Sequence, residues 1–144
     1  MTHTINIYLY KYLIKSLKHD TFCGCTPRSI HMNKSTIVIG FIGATLDQGQ
    51  SVDRWQRWRP TVSLCMHDDL QIDQLYLLHD PREKRLMARI IEDVAQVSPS
   101  TQVISVPCRV RDAWDFSDMY AALYDWVRAF AFDPTQHDYL LHIT

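Results

Sequence analysis

The order of apolar and polar residues changes character at Lys34. From there, Thr36-Ile37-Val38-Ile39-Gly40-Phe41-Ile42 is a short β-branched apolar run closed by Gly43-Ala44-Thr45. That is the pattern of a strand buried on both faces, followed by a turn. Ile72–Leu78 is a second such run, closed by His79-Asp80-Pro81. A helix is predicted next, because Leu86, Ile90 and Val94 recur every four residues with Met87 and Ile91 beside them. Lys84, Arg85, Arg89, Glu92 and Asp93 take its other, polar face, and Ser98-Pro99 stops it. Val103–Val110 is a third strand, and Pro107, which cannot donate to a ladder, puts it at a sheet edge. Asp115-Phe116-Ser117-Asp118 opens a long helix with an acidic first turn suited to the helix dipole. Its expected core stripe is Met119, Tyr120, Leu123, Val127 and Phe130, with Pro134 as the stop, and Asp138–Thr144 is a fourth strand.

Strands that alternate with helices in this way predict an α/β fold with a parallel sheet. Right-handed crossovers and one reversal give the strand order 3-2-1-4 with helices on both faces, which independently places the Pro107 strand at an edge. Strand order reverses between strands one and four, so a ligand crevice is expected at their carboxyl ends. Gly43, Ala44 and Thr45 leave strand one there, Thr144 ends strand four there, and His79 closes strand two nearby. Backbone amides at Gly43 suit an anion, with hydroxyls from Thr45 and Thr144. The alternative is that Gly43 makes a turn and nothing more. All four glycines lie at positions 24–49, which confines any phosphate-cradling turn to Gly40–Gly49, without the spacing of a dinucleotide fingerprint or a P-loop.

Composition narrows this picture. Of 144 residues, 47% are apolar and 22% charged, as in a folded domain and unlike a disordered chain. Lys and Arg number 15 against 16 Asp and Glu, a net charge of −1 that offers no electrostatic footprint for duplex nucleic acid. The charge is uneven: residues 1–33 carry +3 and residues 34–144 carry −4. In the leader, the Ile and Tyr patch Ile5–Leu17 is interrupted by Lys11 and Lys15, too short and too charged to span a bilayer. It lacks the order of a secretion signal, so a cytoplasmic protein with reduced thiols is expected. Cys23-x-Cys25 has no second half-site, and neither a metal nor a cofactor is expected.

The other chemical candidate is Arg54-Trp55-Gln56-Arg57-Trp58-Arg59-Pro60-Thr61. Here Arg54, Trp58 and Arg59 could grip phosphates and stack on a base. Alternatively, Trp55 and Trp58 pack on the core while the arginines pair with Asp47 and Asp53, and Pro60 begins a short helix through Cys65. His79 and His142 sit near strand ends without a nucleophile or metal motif, and Cys65 and Cys108 have no paired His. No enzyme chemistry is expected.

Gly40-Phe41-Ile42-Gly43-Ala44-Thr45-Leu46-Asp47, Arg54-Trp55-x-x-Trp58-Arg59-Pro60-Thr61, Leu77-Leu78-His79-Asp80, Val97-Ser98-Pro99, Trp114-Asp115-Phe116 and Asp138-Tyr139-Leu140-x-His142-Ile143-Thr144 resemble, in order and spacing, the amino-terminal domain of the RtcR family. These are regulators of the RNA terminal phosphate cyclase and RNA ligase operon. The resemblance runs from about residue 34 to the last residue. It implies a CARF-type, Rossmann-like sensory domain. In the family that domain precedes a sigma-54-interacting ATPase and a DNA-binding helix-turn-helix. It also implies an RNA-derived or cyclic nucleotide ligand bound across a homodimer, with no DNA or membrane contact by this part. Residues 1–33 have no counterpart in the resemblance, and translation from Met32 is the expectation there. The domain is expected to be cut short after its fourth strand, and such a fragment to be marginally stable and to bind weakly or not at all. A free-standing CARF-like binding module and a ring nuclease are the alternatives.

Overall fold

The computed structural model describes residues 34–143 apart from 50, 113 and 114. The leader 1–33 with its Cys23-x-Cys25, the motif residue Trp114 and the candidate ligand residue Thr144 lie outside the described residues. Within them the order is β1 (Ser35–Phe41), a 3-10 turn (Val52–Gln56), α1 (Pro60–Leu64), β2 (Gln74–His79) and a 3-10 turn (Pro81–Glu83). Then follow α2 (Lys84–Val97), β3 (Gln102–Pro107), α3 (Phe116–Ala129) and β4 (His137–His142). All strand pairs are parallel and the sheet order is β3-β2-β1-β4. This is the Rossmann-like order expected from the alternation of elements, with Pro107 closing the edge strand β3.

The sheet is built by side-chain alternation. Register pairs Val38 with Leu75 and Leu140, and Ile39 with Tyr76 and Leu141. Ile37, Ile39, Leu78 and Cys108 cluster on one face with Tyr76, Val106 and Tyr139 and with Ala122, Leu123 and Trp126 of α3. Val38, Leu75 and Leu77 alternate with that set, point to the opposite face, and are almost fully buried. Met87, Ile90 and Val94 of α2 are equally buried. Each such side chain contributes roughly 1.5–3 kcal/mol by leaving water.

Gly40 answers a contact that no other residue would allow. A Cβ there would lie 2.9 Å from His142 Cβ and 3.0 Å from the His142 carbonyl. Glycine therefore lets the end of β4 close on β1. Asp115 caps α3 as expected, accepting from the Ser117 and Asp118 amides at 2.8 and 3.0 Å, an arrangement worth about 1 kcal/mol.

Several expectations are corrected. The stripe assigned to α3 is rotated: Tyr120 and Val127 are exposed, and Ala122 and Trp126 reach the core with Leu123. Ala122, Leu123 and Trp126 define the side of α3 that meets the sheet, and Tyr120 lies more than a quarter turn around the helix from it. α3 also ends at Ala129, where Phe130 turns extended, well before Pro134. β3 stops at Pro107 and β4 at His142, short of Val110 and Thr144. The largest correction concerns Asp93, placed on the polar face of α2 by its chemistry but completely buried.

Candidate functional site

The loop that leaves β1 is held from below by one carboxylate. Asp47 is fully buried. Its Oδ2 accepts from the Gly43 amide at 2.9 Å and from the Thr61 hydroxyl at 2.7 Å, and its Oδ1 accepts from the Thr61 amide at 3.1 Å. The Gly43 amide, a candidate anion donor, is thus already committed inside the molecule. Gly43 has no positive φ, so its turn needs no left-handed backbone. Ala44 and Thr45 stand exposed at the tip.

The Arg–Trp segment meets the same loop. Arg59 is 2% exposed; its Nε donates to the Asp47 carbonyl at 3.0 Å, and its Nη1 donates to Asp93 Oδ2 at 2.5 Å. Arg54 donates to both Asp93 oxygens at 3.0–3.2 Å. The arginines therefore pair with Asp93 of α2, not with Asp53. Burial pushes the Asp93 carboxyl up, but the two guanidinium groups outweigh it, and Asp93 titrates below its ordinary value. Trp55 and Trp58 are 39% and 48% exposed, and the Arg54 guanidinium lies 5.3 Å from the Trp55 ring centre. One nitrogen remains over. Arg59 Nη2 is buried without a hydrogen-bond partner among the described residues. It belongs to the residue that, with Arg54, Trp55, Arg57 and Trp58, lines a shallow cleft of about 220 Å³.

The two histidines differ. His79 is buried and both ring nitrogens are used: Nδ1 donates to the Asp80 carbonyl at 2.9 Å, and Nε2 accepts from the Ser105 hydroxyl at 2.8 Å. It ties β2 to β3. His142 lies at the carboxyl end of β4 against Gly40, and its buried Nε2 has no partner among the described residues. Burial lowers its pKa, partly offset by the nearby Asp47 charge. The unfolded chain therefore binds this proton more readily, and stability falls as pH drops below about 6.5, the ordinary His value. Thermal melts at pH 7.5 and 5.5 are expected to show a smaller loss for His142→Gln than for the unsubstituted chain. Equal losses would remove His142 as the cause.

Burial raises the Cys65 thiol to about 11, far from a nucleophile at neutral pH. Among the described residues no group of three or more His, Cys, Asp or Glu could hold a metal ion. No helix there is long and apolar enough to cross a membrane.

The family profile described as "RtcR: Regulator of RNA terminal phosphate cyclase" matches residues 34–144. The chain belongs to the RtcR family. It is 45% identical over 112 residues to the transcriptional regulatory protein RtcR of Escherichia coli (strain K12). That alignment covers 77% of this chain and 21% of the relative, so the chain spans about a fifth of the curated protein it resembles. No solved structure matches.

The positions Gly43, Ala44, Thr45, Arg54, Trp58, Arg59, His79 and Thr144 fall inside the matched range 34–144. The fold brings the loop of Gly43–Asp47 to Arg59 and, through Asp93, to Arg54, while His79 is occupied at the β2–β3 side. Asp93 was missed altogether. The signal existed: it stands three residues after Ile90 and seven after Leu86, the spacing of the buried stripe, which its charge overrode.

Proposed function

We propose that residues 34–144 are the ligand-sensing part of an RtcR-type regulator. They would bind an RNA-derived or cyclic nucleotide as a homodimer and catalyse nothing themselves. The observation that carries this reading is the cleft that Arg59 lines together with Arg54, Arg57, Trp55 and Trp58. Three guanidinium-bearing side chains along one cleft favour an anion. Exposed indoles beside it offer stacking surfaces for a base. The cleft is smaller than the ~300–1,000 Å³ of pockets for drug-sized ligands, a scale suited to one phosphate and part of a base. A relative named as a transcriptional regulator supports a signalling role over a catalytic one.

Tryptophan fluorescence of the full chain tests this, titrated with RNA ending in a 2′,3′-cyclic phosphate and with cyclic tetra-adenylate. Saturable quenching by either is expected, with micromolar to millimolar affinity. Arg54→Gln should lower the slope of log affinity against log salt by about 1. A flat titration with both probes, or an unchanged slope in the variant, sinks the reading.

A further inference from the structure

We propose that the carboxyl ends of β2 and β3 carry a second binding surface, built of Arg82, Arg109 and Arg111, for the phosphodiester backbone of single-stranded RNA. The inference deepens the proposed function by extending its ligand from an RNA end to the chain behind that end. It rests on that reading for the class of ligand. Residues 34–144 carry −4 in total, so cations gathered at one corner run against the composition of the domain.

The topology gathers them. β2 and β3 are parallel neighbours, with His79 beside Pro107 at their carboxyl ends. The Cys108 amide donates to the His79 carbonyl at 2.8 Å, which keeps the chain leaving β3 alongside the chain leaving β2. Arg109 therefore stands by Asp80. Hydrogen bonds from Arg82, with smaller help from the Arg109 charge, hold the Asp80 carboxyl down at about 2. Arg111 follows two residues on and pairs with Asp118 at 2.5 Å. α2 starts at the same corner with Lys84 and Arg85; it has no acidic residue in its first turn and no basic one in its last. That order opposes the helix dipole, so it raises the positive potential here at the expense of helix stability.

Carboxylates are present too, but they lie beneath the cations. The Arg82 side chain is 79% exposed and that of its partner Asp80 23%; for Arg111 and Asp118 the values are 85% and 18%. Asp80 takes Arg82 side-on, from Nε at 2.8 Å and from Nη2 at 2.9 Å, which leaves Nη1 to donate elsewhere. Arg109 is exposed and has no ion-pair partner among the described residues. Glu83 and Asp112 in the same two loops hold the total charge down, so the surface suits a few aligned phosphates and not a whole duplex. Two anchored guanidinium groups with a third beside them present planar donors in fixed positions, as phosphate oxygens require. Anchoring also lowers the entropy lost on binding.

Fluorescence anisotropy of the full 144-residue chain with labelled single-stranded RNA of about 16 nucleotides reads the result. The RNA ends in a 3′-hydroxyl, so it offers no terminal phosphate. Saturable binding is expected at about 50 mM salt, weakening toward about 200 mM with a slope near −2, three contacts at about 0.7 each. Arg109→Gln should weaken binding about five- to tenfold and reduce the slope by about 0.7. Arg82→Gln should cost more, because it removes a cation and bares Asp80. Arg128→Gln, at the far end of α3, removes the same charge and should leave the affinity within about twofold. All three positions are exposed, and circular dichroism checks that each variant keeps the fold. Equal losses in all three show a response to net charge alone and overturn the site. Unchanged affinity in Arg82→Gln and Arg109→Gln, or no binding at all, overturns it as well. Competition by poly-glutamate at equal charge overturns the phosphodiester assignment in favour of an acidic polypeptide. Quenching by cyclic tetra-adenylate reads the Arg54–Trp58 cleft separately, so either site can fail while the other stands.

Discussion

Asp93→Asn is expected to destabilise the domain by about 3–5 kcal/mol, the cost of leaving a buried charge without its partner. Asp93 is completely buried and takes hydrogen bonds from Arg54 and from Arg59, whose side chain is 2% exposed. Removing the carboxylate strands the Arg59 guanidinium in the interior. Against a total stability of roughly 5–15 kcal/mol, such a loss would lower the melting midpoint by about 15–25 °C. Urea unfolding followed by circular dichroism measures it. Arg54→Ala should cost far less, because Arg54 is partly exposed and Asp93 keeps Arg59. Arg59→Met combined with Asp93→Leu should recover most of the loss, because an apolar pair leaves no charge uncompensated. The pH dependence has a definite sign. The folded carboxyl titrates below the unfolded one, so its stabilisation is complete above about pH 3.9 and is lost as pH falls through the folded value. The Asn variant should lack that part of the acid transition. A loss under 1 kcal/mol would mean that the ion-pair network carries no weight.

Asp47→Ala is the second large effect. The substitution removes the acceptor of the Gly43 amide, the Thr61 amide and the Thr61 hydroxyl at once. Hydrogen bonds to a charged acceptor are worth about 1.5–3 kcal/mol each, and they share one anchor, so about 3 kcal/mol is expected in total. The loss should be local as well as global. Hydrogen exchange at the Gly43 and Thr61 amides is expected to quicken more than exchange in β2, whose ladder does not involve Asp47. Uniform acceleration across the sheet would show that Asp47 supports the fold without specifically holding the loop.

The two predictions concern one object. Asp47 fixes the loop to the start of α1, the Asp47 carbonyl holds Arg59, and Arg59 is locked to α2 through Asp93. A ligand drawn to the Arg54–Arg59 cleft would therefore act on a loop, a helix start and a second helix through three side chains. The Gly49 contact adds to this: a Cβ there would lie 2.5 Å from Arg54 Cβ, so glycine permits the chain to fold closely over Arg54.

Much of this was legible from the order of residues. Apolar runs and helical periods located every strand and the two long helices, Asp115 announced its cap, and Pro107 marked the edge. Each is a local property: a strand buried on both faces must be apolar throughout, and a proline cannot complete a ladder whatever surrounds it. Rules of connection then carried the strand order without knowledge of contacts.

What the sequence withheld depended on distant partners. Asp93 and Arg59 are 34 residues apart, and neither the charge nor the period of either residue reveals that they meet in the interior. A buried carboxylate looks like a solvated one until its counter-charges are found. Tyr120 likewise reads as core until Ala122, Leu123 and Trp126 are seen to be the side of α3 that meets the sheet. The sequence by itself determined the elements, their order and the family. Only the tertiary structure decided which charges went inside and which aromatic residues stayed out, because burial depends on what the rest of the chain brings to the same place.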